Sequence, residues 1–135
     1  MMNEKELIPK DKFDLDAVAR LSAAVPEQVA AIACPLLEWI ADANWPVTDM
    51  LLRVLPKYHK ELMPEIEDIL TNGDDVILKN QIVGKLLPQF PEGSLVPVLP
   101  VICKLANMVA NSEDDEELKE SAVNLLGQYH DKQEI

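Results

Sequence analysis

The chain has 135 residues, 48% of them hydrophobic and 4% aromatic, with a formal net charge of -12 and a pI near 4.4. So acidic a surface repels phosphate, which argues against nucleic acid and anionic membranes as partners, and the 12 lysines and arginines form no run that could act as a basic patch. Four glycines are too few for an all-β chain dense in tight turns, and no apolar run reaches the roughly 20 residues that a membrane helix needs.

A chain of this length suits one domain, residues 1–135, whose core is mainly Leu, Val, Ile and Ala. Residues 1–13 are polar and expected to be flexible, with Leu7, Ile8 and Pro9 as an anchor. The opening residues carry no apolar signal region, so the expected location is the cytoplasm. Asp14 can cap a short helix carrying Leu15, Val18, Ala19 and Leu21, which ends before Pro26. Pro26 then suits the first position of a helix with Val29, Ala30, Ile32, Ala33, Leu36, Leu37 and Ile40 at helical spacing. Pro35 falls inside that pattern and predicts a break near Ala33-Cys34.

Asn44-Trp45-Pro46 stops the first helix, and a second carries Met50, Leu51, Val54, Leu55 and Tyr58, with Thr48 and Asp49 in its first turn. A third opens at Leu62-Met63-Pro64 and ends at Asn72-Gly73, where Asp74 or Asp75 caps the next. That next helix carries Val76, Lys79, Ile82, Val83, Leu86, Leu87 and Phe90. Two prolines in Leu95-Val96-Pro97-Val98-Leu99-Pro100 predict an irregular start to the following helix. The stretch from Asn111 to Glu117 reads as a long acidic connection to a last helix with Leu118, Ala122, Leu125, Leu126 and Tyr129.

The order hides a repeat. Leu55-Pro56-Lys57-Tyr58 returns as Leu87-Pro88-Gln89-Phe90 and again as Leu126-Gly127-Gln128-Tyr129, with Leu51, Val83 and Ala122 equivalent upstream. Each unit is a helical hairpin that cannot bury its apolar face alone. The expected fold is therefore all-α: a short right-handed α-solenoid of about three hairpins with an N-terminal capping helix, resembling HEAT repeats in period and proline habit.

Chemistry is sparse along the chain. Cys34 and Cys103 sit in apolar surroundings and read as small core residues in a reducing compartment. His59 and His130 each follow a tyrosine at equivalent repeat positions near expected helix C-termini, so the repeat accounts for them without catalysis. No Gly-rich phosphate loop, metalloprotease His pair, nucleophile elbow or calcium-loop spacing occurs, and no cofactor is called for. The sequence is not that of an enzyme by any recognisable motif.

Acidic residues do gather at the turns inside the hairpins: Asp42 and Asp49, then Asp74 and Asp75, then Glu113, Asp114, Asp115, Glu116 and Glu117. Helix-start electrostatics accounts for part of this, and a solenoid would align the turns into an acidic edge facing a basic protein. Trp39 and Trp45 flank the first of these turns, where they can pack the hairpin or anchor a partner.

Leu36-Leu37-Glu38-Trp39 and Asn44-Trp45-Pro46, with Pro9-Lys10-Asp11-Lys12-Phe13-Asp14 upstream, resemble the bacterial domain-of-unknown-function family 5071. The likeness continues weakly through Met63-Pro64-Glu65-Ile66, Asp74-Asp75 and Lys79, although members carry a Trp before that lysine where this chain has Leu78. The resemblance implies a compact all-helical fold and carries no functional residue over. The expectation is thus a protein-binding module with a basic partner, in its sharper form an immunity-type inhibitor of a basic toxin. The alternatives are a small-molecule binder or enzyme using the concave face near Tyr58 and Tyr129, and a homo-oligomer covering an apolar stripe with its own copy.

Overall fold

The computed structural model describes residues 4–42 and 44–133, with the backbone alone at Glu92 and at 129–133. All regular structure among the described residues is helical: α1 (Glu4–Leu7), α2 (Leu15–Leu21), α3 (Pro26–Ala31), α4 (Ala33–Glu38), α5 (Pro46–Val54), α6 (His59–Asn72), α7 (Val76–Gln81), α8 (Leu99–Ala106) and α9 (Glu113–Gln133). No helix among them is long and apolar enough to cross a membrane.

Prolines and caps set most boundaries. Pro35 lacks an N–H and its ring crowds the carbonyl four residues back, so the helix breaks at Ile32 (φ -119°, ψ 20°) into α3 and α4, beside the expected Ala33-Cys34. Pro46 starts α5, which tightens at Leu55-Pro56 into a 3₁₀ turn over Leu55–Tyr58. The equivalent Leu87-Pro88 also ends in a 3₁₀ turn, Leu87–Gln89, reached through a π turn over Ile82–Leu86. In the third copy the place of this proline is taken by Gly127, and α9 runs on to Gln133 as one α-helix. The doubled prolines give the expected irregular start, a 3₁₀ stretch over Glu92–Val98 leading into α8.

Asp14 caps α2, its Oδ1 accepting from the Ala17 N–H at 3.2 Å, and Asp75 caps α7, its Oδ1 accepting from the Leu78 N–H at 3.0 Å. Gly73 closes α6: its N–H donates to the Ile69 carbonyl at 2.9 Å, and a Cβ there would lie 2.6 Å from that same oxygen.

Three local expectations are corrected. The buried side of α2 is Ala17, Val18 and Leu21, while Leu15 and Ala19 are exposed. α6 begins at His59, earlier than Leu62, because only Tyr58 (φ -106°, ψ 29°) interrupts the preceding turn. His59 therefore stands at a helix start rather than a helix C-terminus, and the side chain of His130 lies outside the described residues. The acidic run Glu113–Glu117 is the opening of α9, not a connecting loop. Ser112 accepts from the Asp115 N–H through Oγ at 3.1 Å, and four acidic residues in the first turn meet the positive end of the helix dipole.

α1 packs on α2 and α3, α2 on α5, α3 and α4 on α6, α6 on α8, and α7 and α8 both on α9. The repeat-equivalent Leu51, Val83 and Ala122 are fully buried, as are Leu55 and Leu87, and they belong to one continuous core. Leu7 is buried in the same core.

Candidate functional site

The turn after α4, the whole of α7 and the first turns of α9 enclose an open cleft of about 540 Å³. Its walls bring together Asp42 and Trp45 from the turn before α5, Asp75 from the turn before α7, and Asp114 and Glu117 from the start of α9. Ala41, with Val76, Ile77, Asn80 and Gln81 of α7, completes the described lining.

Local bonding explains how these residues are held. The Asp42 Oδ1 accepts from the Asn44 N–H at 2.8 Å, and the Asp42 carbonyl accepts from the Thr48 hydroxyl at 2.7 Å, so the turn before α5 is fastened from both sides. Thr48, itself buried, also lies 3.0 Å from the Trp39 carbonyl. The Trp39 and Trp45 rings meet edge to face, 5.3 Å between centroids and 62° between planes. Trp39 thus packs the turn, while Trp45 both packs it and faces the cleft.

α7 is tied to both neighbours. The Gln81 Nε2 donates to the Ile40 carbonyl at 3.0 Å, joining it to the end of the first hairpin helix. On the other side Ser121 of α9 donates from Oγ to the Asn80 Oδ1 at 2.6 Å, and the Asn80 Nδ2 lies 3.4 Å from the Glu117 Oε2. Gly84 permits that approach, because a Cβ at this position would come within 3.0 Å of the Ser121 Oγ.

The acidic residues singled out from sequence divide into two groups. Asp42, Asp75, Asp114 and Glu117 line the cleft. Asp49, Asp74, Glu113 and Glu116 are exposed but do not line it. Asp115 turns back instead, its Oδ2 accepting from the Asn111 N–H at 3.0 Å. Among the described residues no lysine or arginine lines the cleft. Chemically this is a wet, negatively charged cleft with an apolar strip. It can attract and hold a cation that brings a hydrocarbon stem.

Sequence reasoning missed Ile77, Asn80 and Gln81. Ile77 did leave a signal: it falls off the apolar stripe of Val76, Ile82 and Val83, and it is 54% exposed. Gln81 left none, since its burial depends on the approach of the first hairpin.

The remaining candidates lie elsewhere. Tyr58 is buried, its hydroxyl 2.8 Å from the Leu21 carbonyl and 2.9 Å from that of Ala24, so it ties down the α2–α3 turn instead of facing a ligand. The side chain of Tyr129 lies outside the described residues. His59 stands beside Phe90, ring centroids 6.0 Å apart, with its Nδ1 buried and unpartnered among the described residues. Cys34 and Cys103 are unpaired and, contrary to the core reading, exposed. Each lies on the outer side of its helix, where the apolar sequence around it faces the other way. The Cys34 thiol is nonetheless held up at about 11 by partial desolvation and by the carboxylates of Glu65 and Glu38. That is the wrong direction for a nucleophile.

A family model described as a domain of unknown function (DUF5071) matches residues 7–126. The match takes in the Trp39–Trp45 turn, all of α7 and the start of α9, and so every residue of the cleft. No curated protein matches the chain.

Proposed function

We propose that this chain, which belongs to the DUF5071 family, is a non-catalytic protein-binding module that seats a basic protein on the acidic cleft. Its biological work in this reading is inhibition of the immunity type, the masking of a basic toxin such as a nuclease. The observation that carries the proposal is that Asp42, Asp75, Asp114 and Glu117, from three places far apart in the chain, face one cleft with no lysine or arginine among its described lining residues. Complementary charge of this kind speeds encounter and rejects acidic competitors.

The scaffold in this reading is a short right-handed HEAT-like solenoid. The successive packing of α3 and α4 on α6, of α6 on α8, and of α7 and α8 on α9 supports it. The setting is the bacterial cytoplasm, for which the free thiols of Cys34 and Cys103 are suited.

The test is capture of partners from the native host at low and high salt by the wild type and two charge-reversed variants. Asp114→Lys with Glu117→Lys alters the cleft; Glu113→Lys with Glu116→Lys makes the same charge change beside it. The expected result is a basic protein, released by salt, whose affinity falls at least about tenfold in the first variant and far less in the second. Equal binding by wild type and the cleft variant would sink the proposal.

A further inference from the structure

We infer that the cleft is a receptor for an arginine side chain, presented by the basic partner on which the protein-binding reading rests. Several features of the cleft favour a guanidinium over any other cation. Its four carboxylates come from three separate elements. They are spread out: among the described residues no three His, Cys, Asp or Glu side chains come together as ligands of a metal ion. A spread set of acceptors is poorly matched to a point charge and well matched to a flat cation with five N–H donors in a fork.

A fifth acceptor is of a different kind. Gln81 is 7% exposed and lines the cleft. Its Nε2 is committed to the Ile40 carbonyl, while its Oε1 accepts no hydrogen bond from any described residue. An amide oxygen that opens onto a cleft is free to accept a donor brought from outside. A guanidinium has N–H groups to spare for a neutral acceptor after two carboxylates are served, whereas an ammonium has three donors and a tightly held hydration shell.

The apolar parts of the cleft complete the match. Trp45 offers a ring on which a guanidinium plane can lie, and exposed Ile77 with Val76 offers a surface for the three-carbon stem. Two other hollows differ in character: the groove of about 430 Å³ against α8 carries Lys79 and Lys104, and the hollow of about 450 Å³ beside His59 has no acidic side chain among its described lining residues.

The test is a chemical-shift titration of the ¹⁵N-labelled chain with N-acetyl-arginine methylamide, and with its lysine and citrulline counterparts at equal ionic strength. Arginine is expected to move the Trp45 indole N–H and the amides from Val76 to Gln81 in a saturable way. Lysine should bind at least about fivefold more weakly, and citrulline, which keeps the shape and loses the charge, should leave the spectrum unchanged. Asp114→Asn with Glu117→Gln should lower arginine affinity at least about tenfold, and Glu113→Gln with Glu116→Gln should change it by less than about twofold. Asp114 and Glu117 are exposed, so the fold survives their loss, and the amide spectrum itself checks this.

Equal binding of lysine and arginine, or shifts spread to Asp49 and Asp74, would overturn the arginine assignment. So would an unmoved cleft while a basic protein is still captured in a cleft-dependent way; in that case the protein-binding reading stands and only the side chain is wrong. Failure of capture together with an unmoved cleft sinks both.

Discussion

Tyr58 shows how much a single side chain can fix. Its hydroxyl has one proton and two carbonyls within reach, Leu21 at 2.8 Å and Ala24 at 2.9 Å, so the start of α6 is fastened to the turn between α2 and α3. Phenylalanine would fill the same space and leave the carbonyl partners short of a donor. Tyr58→Phe is therefore expected to cost about 1–2 kcal/mol in denaturant unfolding. Burial raises the phenol above its ordinary value of 10, opposed by the bond to Ala24 and reinforced by Glu61. The folded chain thus binds this proton more tightly than the unfolded chain does. The contribution is complete below pH 10 and is lost as pH rises through the folded value, so the stability gap between wild type and the Phe variant should narrow above pH 10. A constant gap from pH 8 to 11 would mean the phenol does not titrate with unfolding.

Among the elements, α9 carries Gly127 where the similar tetrapeptides at Leu55 and Leu87 carry proline. Proline accompanies a 3₁₀ turn at Leu55–Tyr58 and again at Leu87–Gln89; glycine leaves α9 continuous but weak at that point. A Cβ at Gly127 would meet nothing within 4 Å. Gly127→Ala is expected to stabilise the chain by about 0.5–1 kcal/mol and to slow amide exchange in the last turns of α9. A destabilised variant would show that the helix needs its glycine for something other than continuity.

The same elements show what could be read from sequence. The break at Pro35, the stop at Gly73 and the caps at Asp14 and Asp75 were legible because each depends on a group within four residues of it. The start of α9 was misread, because Glu113–Glu117 resembles a solvated loop until Ser112 is seen as its cap. Membership of the cleft was half legible. That Asp42, Asp75, Asp114 and Glu117 belong to turns follows from their neighbours, but that these four and not Asp49, Asp74 or Glu116 share a cleft depends on how α7 is tied to Ile40 and to Ser121.

For the whole molecule, the net charge of -12 acts on stability and on binding with opposite signs. Folding gathers 24 acidic side chains against 12 basic ones into a small volume, and their mutual repulsion opposes the compact state. Salt shortens the reach of that repulsion, from about 10 Å at 0.1 M to about 3 Å at 1 M. The free protein should therefore melt later as salt rises, by about 4 °C for each 1 kcal/mol of repulsion removed in a domain near this size. The same screening weakens attraction between the cleft and a basic partner, so affinity should fall over the range in which the melting temperature climbs. Melting curves and binding isotherms across one salt series measure both. If affinity falls while melting stays fixed, the charge acts locally at the cleft and the rest of the acidic surface is inert. If melting rises while affinity holds, the partner is gripped by Trp45, Ile77 and the Gln81 amide instead, and the carboxylates serve only to guide it in.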